Sequence, residues 1–155
     1  MDYYLPLKLI HILSSTVFFG TGIGSAFYMF MANRRKEIEG IYFAVRHVVI
    51  ADWIFTTPTV FIQPLTGIAL LYVQGYSWTD RWILVSLILY VFAGLCWLPV
   101  VVMQIKMRDM ARESLQKRTP LPSLYWTFDR WWISLGTLAF VAISVIFYLM
   151  VFKPS

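Results

Sequence analysis

Asp52, Thr56, Thr59, Gln63 and Thr66 recur every three or four residues inside a long apolar run. At about 100° per residue they fall within roughly 40° of one line on a helix. A carboxylate, hydroxyls and a carboxamide on one narrow stripe are suited to binding a polar group or passing a proton. In hydrocarbon, unpaired polar groups are costly, so this stripe is expected to face other helices rather than lipid. His11 lies on a second apolar run, with Ser14, Ser15, Phe18, Gly22 and Ser25 on its face. Its neutral imidazole is a common haem or metal ligand, and an ionisable side chain within a membrane helix is a functional candidate by default. A third run aligns Ser86, Tyr90, Ala93, Trp97, Val100 and Gln104. A fourth aligns Arg130, Ser134, Thr137, Val141, Ser144 and Tyr148.

Four apolar runs long enough to cross a bilayer carry these residues, roughly 4–32, 45–72, 82–107 and 125–152. They predict an all-α, integral membrane, up-down four-helix bundle forming one domain over residues 1–155, with the polar stripes inward. Of the 155 residues, 59% are hydrophobic and 14% charged, where a soluble domain carries about 25%. The net charge of +5 comes mostly from the first loop, with Arg34, Arg35 and Lys36, and the third, with Arg108, Arg112, Lys117 and Arg118. That distribution points to membrane topology and not to nucleic acid. It places both basic loops in the cytoplasm and both termini outside. No basic segment precedes the first run, so no cleavable signal is expected. The single Cys96 excludes an internal disulfide.

Counting about 1.5 Å per residue along antiparallel neighbours puts His11, Gln63, Tyr90 and Ser144 in one layer of the outer half. Asp52 lies near the midplane. His47, at the cytoplasmic start of the second run, is roughly 13 to 20 Å from His11 along the membrane normal, so the two cannot ligate one haem within a monomer. Two roles are open to Asp52, a structural pair with Arg130 or a proton relay; Asp129 and Arg130 are also placed to pair locally. Pro58 and Pro64 remove backbone donors and free the carbonyls of Ile54 and Val60. Gly20 and Gly24 form a small-xxx-small pair suited to close helix packing. Met29, Met31, Met103, Met107 and Met110 sit on different faces and suit packing better than copper binding. Trp53, Trp78, Trp82, Trp126, Trp131 and Trp132 fall mostly near helix ends, as in an interfacial belt.

The opening Lys8-Leu-Ile-His11-Ile12 resembles the first helix of the small four-helix bacterial protoporphyrinogen IX oxidases, whose superfamily includes the CopD-like copper-resistance membrane proteins. The whole chain resembles an uncharacterised bacterial integral membrane family of that superfamily. The residues carrying this likeness are Gly20-Thr-Gly-Ile-Gly24, Ala51-Asp-Trp-Ile-Phe-Thr-Thr-Pro58, Gln63-Pro-Leu-Thr-Gly-Ile-Ala-Leu70, Leu89-Tyr90 and Cys96-Trp-Leu-Pro-Val-Val101. The resemblance implies a bacterial inner membrane and a b-type haem held at the position of His11. The oxidases also use a lysine within the third helix. Here the only lysine of that helix is Lys106 at its boundary, so the likeness carries haem binding rather than porphyrinogen oxidation.

Two functional expectations follow. The first is a redox-linked, b-type haem-binding membrane protein, with His11 as axial ligand and Ser14, Ser15, Phe18 and Gly22 as the surface beneath the macrocycle. Gln63 and Tyr90 would face the other side, and Asp52 with Tyr90 would handle protons. With no second histidine at that depth, the iron would be five-coordinate, ligated by Lys8 or another weak donor, or shared across a homodimer. The second is a site for a quinone or another lipophilic metabolite. A non-catalytic partner subunit or small transporter is the bland alternative. Either redox reading calls for an electron-donating membrane partner.

Overall fold

The computed structural model describes residues 3–154, which form five α-helices: α1 (Tyr4–Arg35), α2 (Ile38–Ala51), α3 (Thr57–Gln74), α4 (Arg81–Lys117) and α5 (Ser123–Phe152). A π-helical turn, Asp52–Thr56, joins α2 to α3 and makes them one span. Its cause lies in the sequence. Pro58 has no N–H to give the carbonyl four residues back, and the Thr57 N–H reaches the Asp52 carbonyl five back instead. Four helical segments are thus long and apolar enough to cross a membrane. The chain is a four-helix membrane bundle.

The helices run well past the apolar limits. The first loop shrinks to a turn at Lys36, and α4 continues through Arg108 and Arg112 to Lys117. The first and third segments expected as loops are therefore mostly helical, whereas the second, 73–81, stays largely non-helical. Charged residues form helices readily outside the bilayer, so hydropathy marks where lipid ends and not where a helix does. Lys36 and Arg118 both adopt the left-handed conformation (φ 59° and 52°). There they stop helices whose negative dipole ends suit basic side chains. Gly75 (φ 70°) ends α3 with Tyr76 N–H reaching back to the Leu71 carbonyl.

In space α1 packs on both halves of the second span, α2 on α4, and α4 on α5, whereas α1 and α5 meet only sparsely. Cores fill the two ends. The one at the end with the basic turns contains Met29, Ile41, Val45, Met107, Ala111 and Tyr125, all fully buried. Trp82, Ile83 and Leu149 form the outer one, where Lys153 Nζ donates to Tyr76 Oη (2.6 Å) and lies over the rings of Tyr76 and Trp82. Between them the bundle is hollow.

The expected inward faces hold on the second span, where Thr56, Thr59 and Thr66 are buried, and on α4, where Ser86, Ala93, Val100 and Gln104 are. On α5 the expectation fails. Arg130, Ser134, Thr137, Val141 and Tyr148 are exposed, and Trp132, Ala142, Ile143 and Leu149 turn inward. The hydroxyls of Ser134, Thr137 and Ser144 each donate to the carbonyl four residues back, at 2.9, 2.8 and 2.9 Å. A serine or threonine satisfied by its own helix needs no interior.

Candidate functional site

The residues expected in one pocket occupy two places. The first is a seam between α1 and α3 in the outer half. Thr66 donates to the Ile62 carbonyl (2.7 Å), so at its 2.8 Å contact with His11 it accepts from Nδ1–H. This leaves Nε2 as the unprotonated nitrogen. Gln63 Nε2 donates to the His11 carbonyl (2.9 Å) and to the Ser14 hydroxyl, which donates back to that carbonyl (3.2 Å). A Cβ built on Gly67 would stand 3.4 Å from His11 Cε1, so the missing side chain lets the ring lie against α3. Ser15 bonds its own helix at the Ile12 carbonyl (2.8 Å) and takes no part. His11 and Gln63 do share a layer; Ser144, turned to the Phe140 carbonyl, is not joined to it.

The second place is the hollow, a cavity of about 530 Å³ lined by all four spans. Phe18, Gly22, Asp52 and Tyr90 reach it; His11, Ser14, Ser15 and Gln63 do not. Most of the wall is aromatic or aliphatic, and its polar groups are few and specific. Asp52 Oδ2 accepts from Gln104 Nε2, and Gln104 Oε1 accepts from Trp132 Nε1 (3.2 Å). An indole can only donate, so Trp132 fixes the carboxamide with its NH2 towards Asp52. The Tyr90 hydroxyl donates to the Val60 carbonyl, the acceptor that Pro64 frees. Thr56 and Trp97 also line the cavity, and their Oγ1 and Nε1 are buried without a hydrogen-bond partner among the described residues. Orphaned donors of this kind are rare enough in native interiors to call for an explanation.

Asp52 pairs with no cation. Among the described residues the ion pairs are Arg108–Asp109 and Lys117–Glu113, both on the basic C-terminal extension of α4. The expected Asp52–Arg130 pair is absent because Arg130 points outward, its Nη2 3.5 Å from Thr127 Oγ1. Nor do Asp129 and Arg130 pair. Asp129 Oδ1 accepts from Asn33 Nδ2 (2.8 Å), and Asn33 Oδ1 accepts from the Tyr125 hydroxyl (2.8 Å), tying α1 to α5 at the basic end of the bundle. His47 is exposed, its Nδ1 2.7 Å from the Phe43 carbonyl. A Cβ on Gly20 or Gly24 meets nothing within 4 Å, so this pair packs against no helix of the described chain.

The structure brings Gln104, Trp132 and Trp97 to the site beside the stripe residues Asp52 and Thr56. Gln104 and Trp97 were legible as members of the inward face of α4, and the depth count that grouped His11 with Gln63 would also have set Gln104 near Asp52. Trp132 resembles its belt neighbour Trp131 in sequence; only the rotation of α5 separates them, one buried and the other 59% exposed.

The cavity offers few donors for a haem iron. Of the side chains that ligate it, His, Cys, Met and Tyr, only Tyr90 lines the cavity, and its hydroxyl is turned to the Val60 carbonyl. His11, whose Nε2 suits a ligand role, borders no part of the cavity. The wall does not fit that group. Residues 5–154 match the model of a family described as "Predicted integral membrane protein (DUF2269)". No curated protein and no solved structure matches the chain. The family match bears on membrane integration and leaves the likeness to porphyrinogen oxidases and CopD-like proteins as an expectation.

Proposed function

The chain belongs to the DUF2269 family of predicted integral membrane proteins, and from that premise we propose that it binds a lipophilic, oxygen-bearing small molecule of the quinone class inside the bilayer. The observation that carries this reading is the Asp52–Gln104–Trp132 relay, set in the wall of an otherwise apolar cavity of about 530 Å³. That volume is within the usual range for small-molecule sites, and a few convergent polar groups in an apolar wall are their usual form. Gln104 holds one oxygen of Asp52, and the other makes no hydrogen bond to a described residue. It is placed to accept from a ring hydroxyl. The unpaired Trp97 indole and Thr56 hydroxyl are suited to ring carbonyls. Asp52 exchanges protons with the bound ring, and an electron donor in the membrane, outside this chain, supplies the redox half of the reaction. The basic cytoplasmic ends agree with residence in a bacterial cytoplasmic membrane, where lipophilic quinones are at hand.

The test is organic extraction of the detergent-purified chain, with mass spectrometry of what is released and an optical spectrum of the same sample. A co-purifying quinone that disappears in Asp52→Ala, from a protein that still folds, is the expected result. A Soret band lost in His11→Ala, with no quinone, would overturn it in favour of haem at the α1–α3 seam.

A further inference from the structure

Helices α1 and α5 are held together at two levels and stand apart between them. On the outer side Phe19 stacks on Phe140 (centroids 4.9 Å apart) and meets Phe147 edge-on (5.2 Å). At the cytoplasmic end Asn33 bonds Asp129 and Tyr125. From Phe19 to Asn33 the helix rises about 21 Å. Within that interval small residues lie between the larger ones of the two faces, Gly22, Ser25 and Ala26 on α1 and Gly136 and Ala139 on α5. Small faces usually bring membrane helices into contact. Here they do not, for a Cβ built on Gly22 or Gly136 meets nothing within 4 Å.

The gap opens sideways. Every cavity-lining residue that is exposed belongs to α1 or α5, with Ile23, Phe27 and Phe30 on one edge and Ile133, Thr137 and Phe140 on the other. Asp52 and the orphaned Thr56 and Trp97 lie opposite, with Gln104, on the second span and α4; on the slot side the hydroxyl residues are Ser25 and Thr137, and Thr137 closes on its own backbone. A molecule in the cavity therefore has its oxygens at the back wall and its far end at a slot facing acyl chains. The slot lies between the middle of α1 and its basic end, on the cytoplasmic side of the membrane.

Resting on the quinone reading of the cavity, we propose that its ligand carries a long apolar tail, enters from the cytoplasmic leaflet through the slot between α1 and α5, and keeps that tail in the slot when bound. A water-soluble ligand would need an opening at one end of the bundle, and both ends are packed. A tailed molecule needs only a side opening, since its tail never leaves lipid.

The experiment uses the full chain in liposomes and follows quenching of its tryptophan fluorescence, since Trp97 and Trp132 line the cavity. The probes are a benzoquinone bearing a decyl tail and the same ring without it. Thr137→Phe and, independently, Ala26→Phe narrow the slot at exposed positions. Both are expected to slow association of the tailed probe about tenfold, because binding then requires the helices to spread. Val145→Phe, which adds the same bulk on the lipid face away from the slot, leaves the rate unchanged. Phe147→Ala, loosening the outer tie, also leaves it unchanged. Wild-type rates in both slot variants, with both probes bound, would overturn the route and leave the cavity reading standing. Faster association in Phe147→Ala would move the opening to the outer side and overturn the leaflet assignment. Failure of the wild type to bind either probe would overturn the cavity reading and this inference with it.

Discussion

The α1–α3 seam and the central cavity are built from the same kinds of side chain and end in opposite states. At the seam, His11, Ser14, Gln63 and Thr66 each find a partner on the facing helix or on their own backbone. Around the cavity, Asp52 keeps an oxygen without a partner, and Thr56 and Trp97 keep orphaned donors. A polar group in a membrane helix can join two helices or await a third party, and composition does not distinguish the two. Burial of the unpartnered atoms does: Thr56 Oγ1 and Trp97 Nε1 at the cavity are buried without a partner, and no seam atom among the described residues is. The seam has the form of interhelical glue, the cavity that of a receptor.

Five substitutions would break or sharpen that contrast. The largest effect is expected from Gln104→Leu. Gln104 is 1% exposed, and its loss strands both Asp52 and the Trp132 indole, each at about 1–3 kcal/mol. Thermal unfolding should show the destabilisation, and quinone binding should vanish with it. Asp52→Asn is next: the carboxamide oxygen still accepts from Gln104, so the fold should survive while quinone affinity drops about tenfold, or about 1.4 kcal/mol. Equal affinity in titrations of wild type and variant would remove Asp52 from the site. Gln63→Leu should invert that pattern, with a loss of about 1–2 kcal/mol in stability from broken interhelical bonds and unchanged affinity. A ligand defect here would mean that seam and cavity form one site after all. Smallest of all, Ser134→Ala and Ser144→Ala should each stay within about 0.5 kcal/mol of wild type in unfolding and leave binding untouched.

The π-turn at Asp52–Thr56 belongs to the cavity half of the contrast. Pro58 forces it, and it falls where the second span meets the hollow. Such turns recur at functional sites. Pro64 acts one step further out, freeing the Val60 carbonyl that the Tyr90 hydroxyl takes up. Both consequences were readable from the positions of the two prolines, although neither the width of the turn nor the identity of Tyr90 as the donor was.

What the sequence determined by itself is the membrane bundle, the four spans, the shared side of the basic turns and the inward faces of the second span and α4. Those faces carry Asp52, Gln63 and Gln104, whose carboxylate and carboxamides cannot be satisfied by a neighbouring turn of their own helix and so must seek another. Tertiary structure alone decided the rotation of α5, because the hydroxyls of Ser134, Thr137 and Ser144 close on their own backbone and exert no pull towards the interior. It also decided which polar groups meet. His11 closes on Thr66, Asp52 on Gln104 and Asp129 on Asn33, since a hydrogen bond depends on separations of tenths of an ångström between helices, and periodicity along one helix carries no information about that spacing.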